Sequence, residues 1–175
     1  VGSEMCIRDR ARLERKFGVQ VDYEDVRVAY RETITAKSSA EGRYKKQSGG
    51  HGQFGIASIR IEPLPAGSGL EFVDEVTGGA IPRQFITAVE AGVAEAMAQG
   101  GSSGYPVVDV RVAVVDGKHH SVDSSEMSFK MAGRLAFQEA LGGARCVVLE
   151  PVMAVEVTIP SECLGDVMGD LSSRR

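Results

Sequence analysis

The chain has 175 residues, 43% of them hydrophobic and 25% charged, which supports one or two folded domains and excludes a disordered chain. A formal net charge of −4 excludes nucleic-acid binding through the whole surface but allows a basic tip on an acidic body. No apolar run approaches the ~20 residues of a membrane span, and no apolar signal-peptide stretch is predicted. Three cysteines without CxxC spacing, Cys6, Cys146 and Cys163, point to reduced thiols in the cytoplasm and against a disulfide scaffold or zinc site.

Residues 1–10 fit nothing that follows. Arg10 to Phe17 is charged and helix-compatible, Gly18 closes it, and Val19-Gln20-Val21 alternates like a strand. One helix and one strand cannot bury themselves, so this opening reads as the tail of a domain whose beginning lies elsewhere. Val26, Val28, Tyr30 and Ile34 then share a strand face opposite Arg27, Arg31, Thr33 and Thr35, with Glu32 breaking the apolar side. A basic, glycine-studded loop from Arg43 to Gly55 follows. After it Ala57, Ile59 and Ile61 share a strand face; Phe54 and Ile56 are out of phase, which predicts a bulge near Gly55. Pro63 to Gly69 reads as a turn, and Leu70, Phe72 and Val76 alternate with Glu71 and Glu75 in another strand.

Pro82 suits a first helical position, Phe85, Val89, Val93, Ala96 and Met97 recur at helical spacing, and Gly100-Gly101 ends the helix. Val108, Val110, Val112 and Val114 form a strand whose other face, Val107, Ala113 and Val115, is partly apolar too. Asp109 and Arg111 on it are expected to face solvent. The loop Asp116 to Asp123 comes next. Asp123 with Glu126 predicts a capping box, opening a helix with Met127, Met131 and Leu135 on one core stripe, Phe129, Phe137 and Leu141 on its neighbour, and Gly142-Gly143 at its end. Val147, Leu149, Met153, Val155, Val157 and Ile159 read as one long strand in which Pro151 marks an edge or bend. Ser161 is predicted to cap a final helix carrying Leu164, Val167, Met168 and Leu171. This last strand and helix have an apolar face and no sheet to bury it against. The chain is expected to be a fragment, cut at both ends.

Two loops carry the recognisable chemistry. Lys45, Lys46, Gln47, Ser48, Gly49, Gly50, His51, Gly52 and Gln53 combine tight bending with donors for phosphates and base edges, and Lys118, His119 and His120 add to them. The first loop lacks GxxxxGK[ST] and does not open a helix as GxGxxG, so it is not a phosphate cradle of either kind. A solvated hairpin connection is the bland alternative. Adjacent histidines on an extended loop diverge and chelate poorly, so neither a metal nor a catalytic residue is assigned.

The motifs Ala29-Tyr30-Arg31-Glu32-Thr33-Ile34, Gln47-Ser48-Gly49-Gly50-His51-Gly52-Gln53-Phe54-Gly55, Gly104-Tyr105-Pro106-Val107-Val108-Asp109, Val122-Asp123-Ser124-Ser125-Glu126 and Leu164-Gly165-Asp166-Val167-Met168-Gly169-Asp170-Leu171-Ser172-Ser173-Arg174-Arg175 occur in this order. Together they resemble the C-terminal half of bacterial elongation factor G, over residues 11 to 175. The resemblance implies an α+β chain: residues 11–25 end domain III, residues 26–148 form domain IV, a ribosomal protein S5 domain 2-like α/β domain, and residues 149–175 open a truncated ferredoxin-like domain V. Residues 1–10 do not match the family and are expected to be a non-native segment joined near Arg10.

The resemblance also implies a function. Domain IV would enter the small-subunit decoding centre and promote movement of tRNA and mRNA, with small-subunit rRNA, A-site tRNA and mRNA as partners and no membrane. The tip loops map to residues 47–55 and 118–122, and the family's tip histidine to His120. GTP and Mg are expected in the missing G domain, with no cofactor in this chain, no catalysis by it alone, a monomer off the ribosome and a cytoplasmic location. Lys45-Lys46-Gln47 with His51, and Lys118-His119, are more similar to the elongation-factor-G-like paralogues, which leaves ribosome protection or recycling as the alternative. A hydrolase using His119 or His120 is the competing enzyme reading.

Overall fold

In the computed structural model, which describes residues 2–20, 28–47, 52–154 and 156–174, the valine- and isoleucine-rich segments build one mixed α/β body. Its sheet is ordered β2(Ser38–Lys46), β3(Gln53–Pro63), β5(Val110–Lys118), β4(Leu70–Asp74). The β2–β3 and β3–β5 pairs are antiparallel and β4–β5 is parallel, so β4 reaches β5 through the crossover helix α2(Arg83–Gln99). A second helix of the layer, α3(Glu126–Gly143), lies beside α2 on the same sheet face. A two-stranded antiparallel sheet, β1(Arg31–Ile34) with β6(Cys146–Leu149), closes the base. The helix α1(Gly2–Phe17) precedes the body, and a 3₁₀ turn, Ser161–Cys163, leads into α4(Leu164–Ser173).

Alternation decides the core. Ala57, Ile59 and Ile61 of β3 and Val110, Val112 and Val114 of β5 are buried against Val89 and Val93 of α2 and Phe129, Ala132, Ala136, Phe137 and Ala140 of α3. The rings of Phe85 and Phe129 stack at 4.9 Å where the two helices meet. Each such fully buried large side chain contributes roughly 1.5–3 kcal/mol. The helix α3 sits unusually close to the hairpin because Gly42 and Gly55 face it: a Cβ on Gly42 would collide with the backbone of Ala132 and Ala136, and one on Gly55 would lie 2.9 Å from Ser128 backbone atoms.

Several elements depart from the sequence pattern. The segment Ser38–Lys46 is a strand, so Arg43 to Lys46 belong to β2 and not to a loop. The strand β3 is regular through Gly55, where Phe54 and Ile56 simply face the other side; the register shift lies between Ser58 and Ile59, where β5 carries the extra residue Val115. Pro82 is the N-cap of α2, one place earlier than expected, and the N-cap of α3 is Ser125, whose hydroxyl accepts from the Ser128 N–H at 3.2 Å. Asp123 is therefore not the cap. The buried stripe of α3 is the alanine and phenylalanine one, which allows close approach, while Met127 is 56% exposed.

The ends differ as well. Helix α1 starts at Gly2, ahead of the Arg10 to Phe17 stretch that reads as helical, and Gly18 (φ +65°) ends it. Val19 and Gln20 form no strand, and Val21, Val26 and Arg27 lie outside the described residues. The strand β6 stops at Leu149, where its partner β1 ends at Arg31 and Pro151 follows without an N–H to donate. The long strand through Ile159 does not form, and Val155 lies outside the described residues. Ser161 caps nothing; the N-cap of α4 is Cys163, without a side-chain bond. Leu164, Met168 and Leu171 are exposed on α4, the uncovered apolar face that the sequence leads one to expect. No helix among the described residues is long and apolar enough to cross a membrane.

Candidate nucleic-acid interface

Both basic segments end up at one end of the body. The hairpin β2–β3 and the connection from β5 to α3 meet there through backbone bonds: the Phe54 N–H donates to the Asp123 carbonyl at 2.8 Å. The Ser124 hydroxyl donates to the Phe54 carbonyl, also at 2.8 Å, and accepts from the His120 N–H at 2.8 Å. These bonds tie the two loops into one unit. Lys45, Lys46, Gln47, Gly52, Gln53, Phe54, His120 and Asp123 line an open recess of about 260 Å³ there.

The hairpin presents charge on both faces. Lys45 and Lys46 are neighbours on a strand and so point to opposite sides. Lys46 places its Nζ 5.7 Å from the Tyr44 ring centre, and the Tyr44 hydroxyl donates to Gln53 Oε1 at 3.0 Å, bracing the hairpin just below its tip. On the open sheet face Lys45 lies opposite Phe54, and Lys118 opposite Ile56. Among the described residues none of Lys45, Lys46 and Lys118 has a carboxylate partner, whereas Arg43 is taken up by Glu41. Among the described residues, then, no carboxylate neutralises these three cations.

The two histidines part company. His119 turns its Nδ1 to the Ala80 carbonyl at 3.2 Å, away from the recess. His120 stays in it, with its ring edge-on to Phe54 at 6.3 Å between centres and its Nδ1 facing the N–H groups of Val122 and Asp123 at 3.3 and 3.2 Å. The Asp123 carboxylate is 3.4 Å from the same nitrogen. Among the described residues no three His, Cys, Asp or Glu side chains gather as a metal site. Of the sequence-derived tip, Lys45, Lys46, Gln47, Gly52, Gln53 and His120 come together at the recess, Lys118 lies at the end of β5 opposite Ile56, His119 faces elsewhere, and Ser48, Gly49, Gly50 and His51 lie outside the described residues.

Two features carried no readable local signal. Glu32, an interruption in the strand pattern, is completely buried, and its carboxylate accepts from the N–H groups of Ser103 and Tyr105 at 3.0 and 2.9 Å and from the Ser102 hydroxyl at 3.3 Å. Asp109, expected to face solvent, is buried with φ +60° and holds the Gly69 N–H at 2.8 Å, while Arg111 pairs with Glu71 instead. Both carboxylates fix loops at the base, away from the tip.

Comparison with known proteins agrees with this geometry. The family model for elongation factor G, domain IV, matches residues 26–145, and that for the elongation factor G C-terminus matches residues 147–175. An elongation factor G-like protein of Thermotoga maritima is 54% identical over 164 residues, 94% of this chain and 24% of the relative. An elongation factor G of Aquifex pyrophilus is also 54% identical over 164 residues, with the same shares. A crystal structure of a Thermus thermophilus protein superimposes with a TM-score of 0.82 at 38% identity, covering 97% of this chain and 25% of that one. The chain thus spans about a quarter of the length of the proteins it matches.

Proposed function

The chain belongs to the elongation factor G family, as part of a translation elongation factor, and from that premise we propose that it is the ribosome-facing portion of a translational GTPase. In this reading the tip enters the small-subunit decoding centre and promotes movement of A-site tRNA and mRNA towards the P site. Its partners are small-subunit rRNA, tRNA and mRNA, and the protein is a cytoplasmic monomer when off the ribosome. GTP and Mg would be held by a part of the longer protein outside this sequence; no GxxxxGK[ST] occurs here. The chain contributes shape and contacts, not hydrolysis.

The observation that carries the proposal is the gathering of Lys45 and Lys46, without a carboxylate partner among the described residues, with half-exposed His120 around one recess, and Lys118 on the neighbouring strand opposite Ile56. Cations neutralise phosphates, and RNA is engaged largely through backbone, shape and 2′-hydroxyl contacts. The bonds between hairpin and loop mean that the end can push without folding back on itself.

The test uses the full-length protein carrying this chain. Lys45→Glu with Lys46→Glu, and separately His120→Ala, are expected to slow single-round tRNA–mRNA translocation while ribosome-stimulated GTP hydrolysis persists. Unchanged translocation in both variants refutes the assignment of the tip. Relatives named elongation factor G and elongation factor G-like protein match at the same 54% identity. A wild-type protein that splits post-termination ribosomes but does not translocate would move the duty to recycling.

A further inference from the structure

We propose that the chain holds His120 in its Nε2–H tautomer, so that the tip offers a fixed hydrogen-bond donor to an acceptor atom of RNA, and that Ser124 is the positioning residue that sets it. The inference rests on the reading of the tip as an RNA contact and specifies what this side chain supplies.

The argument is one of proton counting. Backbone N–H groups can only donate, and those of Val122 and Asp123 both approach Nδ1, at 3.3 and 3.2 Å. Nδ1 must therefore present its lone pair, and the single proton of a neutral imidazole resides on Nε2. The Asp123 carboxylate, 3.4 Å from Nδ1, would take a hydrogen bond only if Nδ1 carried a proton, in the Nδ1–H tautomer or in the doubly protonated ring. Two closer N–H groups oppose that arrangement. The nearby charges are Lys45 and Lys46 across the recess and Asp123 beside the ring. The side chain is 53% exposed, and Nδ1 is engaged within its own loop, so Nε2 is the nitrogen left for a partner.

Ser124 makes this possible. Its one hydroxyl proton goes to the Phe54 carbonyl at 2.8 Å, which leaves the oxygen free to accept from the His120 N–H at 2.8 Å. The Phe54 N–H closes the ring of contacts on the Asp123 carbonyl at 2.8 Å. Residue 120 is thereby held at both its backbone and its side chain against a strand of the hairpin. A donor fixed in this way suits a phosphate oxygen, a ribose hydroxyl or a base acceptor, and disfavours a base amino group.

The experiment is selective ¹⁵N-histidine NMR on the full-length protein at a pH where the ring is neutral, with His120→Ala identifying the signal. The expected result is one nitrogen with the signature of a bare acceptor at Nδ1 and one carrying a proton at Nε2. Averaged nitrogens, or a proton at Nδ1, overturn the proposal without touching the function reading. Ser124→Ala should move the pair towards averaging and lower translocation, and Ser124→Thr should restore both; a loss of translocation with the imidazole signature unchanged removes Ser124 from this role. His120→Gln, whose amide N–H lies near the Nε2 position, should stay within about threefold of wild type, while His120→Asn and His120→Ala lose about tenfold or more. Equal losses in all three overturn the donor. No loss in any of them, with the tautomer still locked, refutes the function reading instead.

Discussion

Replacing Glu32 should reveal how strongly a buried carboxylate organises the base of the domain. Its Oε1 accepts two backbone N–H groups, from Ser103 at 3.0 Å and Tyr105 at 2.9 Å, and its Oε2 accepts from the Ser102 hydroxyl. Glu32→Ala strands both N–H groups, at about 1–3 kcal/mol each when no water reaches them. Ser103 and Tyr105 lie at the surface, so water recovers part of that loss and the net cost should be about 2–4 kcal/mol. Glu32→Gln is different. Its amide oxygen can occupy the Oε1 position and keep both N–H bonds, while its NH₂ donates to the Ser102 hydroxyl, which can reverse its role. What remains is the difference between charged and neutral acceptors, about 1 kcal/mol. Urea unfolding of the wild type and both variants, followed by circular dichroism and compared at unchanged m, reads these values. The near-ultraviolet tyrosine signal gives a local check, because the rings of Tyr30 and Tyr105 lie 5.3 Å apart beside the anchored loop. A cost below about 1 kcal/mol for Glu32→Ala, or equal costs for the two variants, would refute the reasoning.

Gly42→Ala should cost about 1–3 kcal/mol or more, since its Cβ falls on the α3 backbone, whereas Gly142→Ala near the open end of α3 should gain about 0.5–1 kcal/mol; thermal melts of the pair separate close approach from helix propensity. Glu62 is held below the ordinary glutamate value of 4.5, first by the hydrogen bond from Lys37 and then, against some desolvation, by the charges of Lys37 and Arg60. A carboxylate depressed in the folded state contributes stability that is present above its unfolded value and lost as pH falls through the folded one. Lys37→Ala should raise the Glu62 midpoint in a carboxyl NMR titration and shrink the acid-side loss of stability; an unmoved midpoint would assign the effect to Arg60. At the tip, Lys45→Ala with Lys46→Ala should reduce the slope of log affinity for RNA against log salt by about 2, and an unchanged slope would place both lysines away from phosphate.

The parts of the fold that were legible in the sequence are those in which one residue type repeats at one spacing. Val110, Val112 and Val114, Ile59 and Ile61, and the helical series from Phe85 to Met97 each bury the face that their period marks. The strand β2 escaped because its inward residues, Ala40, Gly42 and Tyr44, are small or polar and look like loop chemistry. Yet the missing side chain at Gly42 is what lets α3 lie against the hairpin. The α3 error has the same origin: methionine is the more hydrophobic choice, but alanine permits the close contact, so the large stripe was pushed to the edge.

The candidate site divides along a related line. Lysine, glutamine and histidine in glycine-rich loops mark a tip by type alone, and the tip is where most of them lie. What aims them is not local. Ser124 and Phe54 are 70 residues apart, and Glu32 and Tyr105 are 73 apart, so neither pair leaves a periodic trace. Asp123 shows how such a contact misleads: its place before a helix suggests a cap, but Ser125 takes that duty and leaves Asp123 to face His120 and Phe54. A short polar residue near a helix start has several possible partners, and the strand that topology brings alongside decides among them. The separation of His119 from His120 follows from the same fact, since one ring meets the turn at Ala80 and the other the hairpin. Adjacent identical residues therefore have different jobs, and a substitution at His119 should leave the His120 imidazole signals where they are.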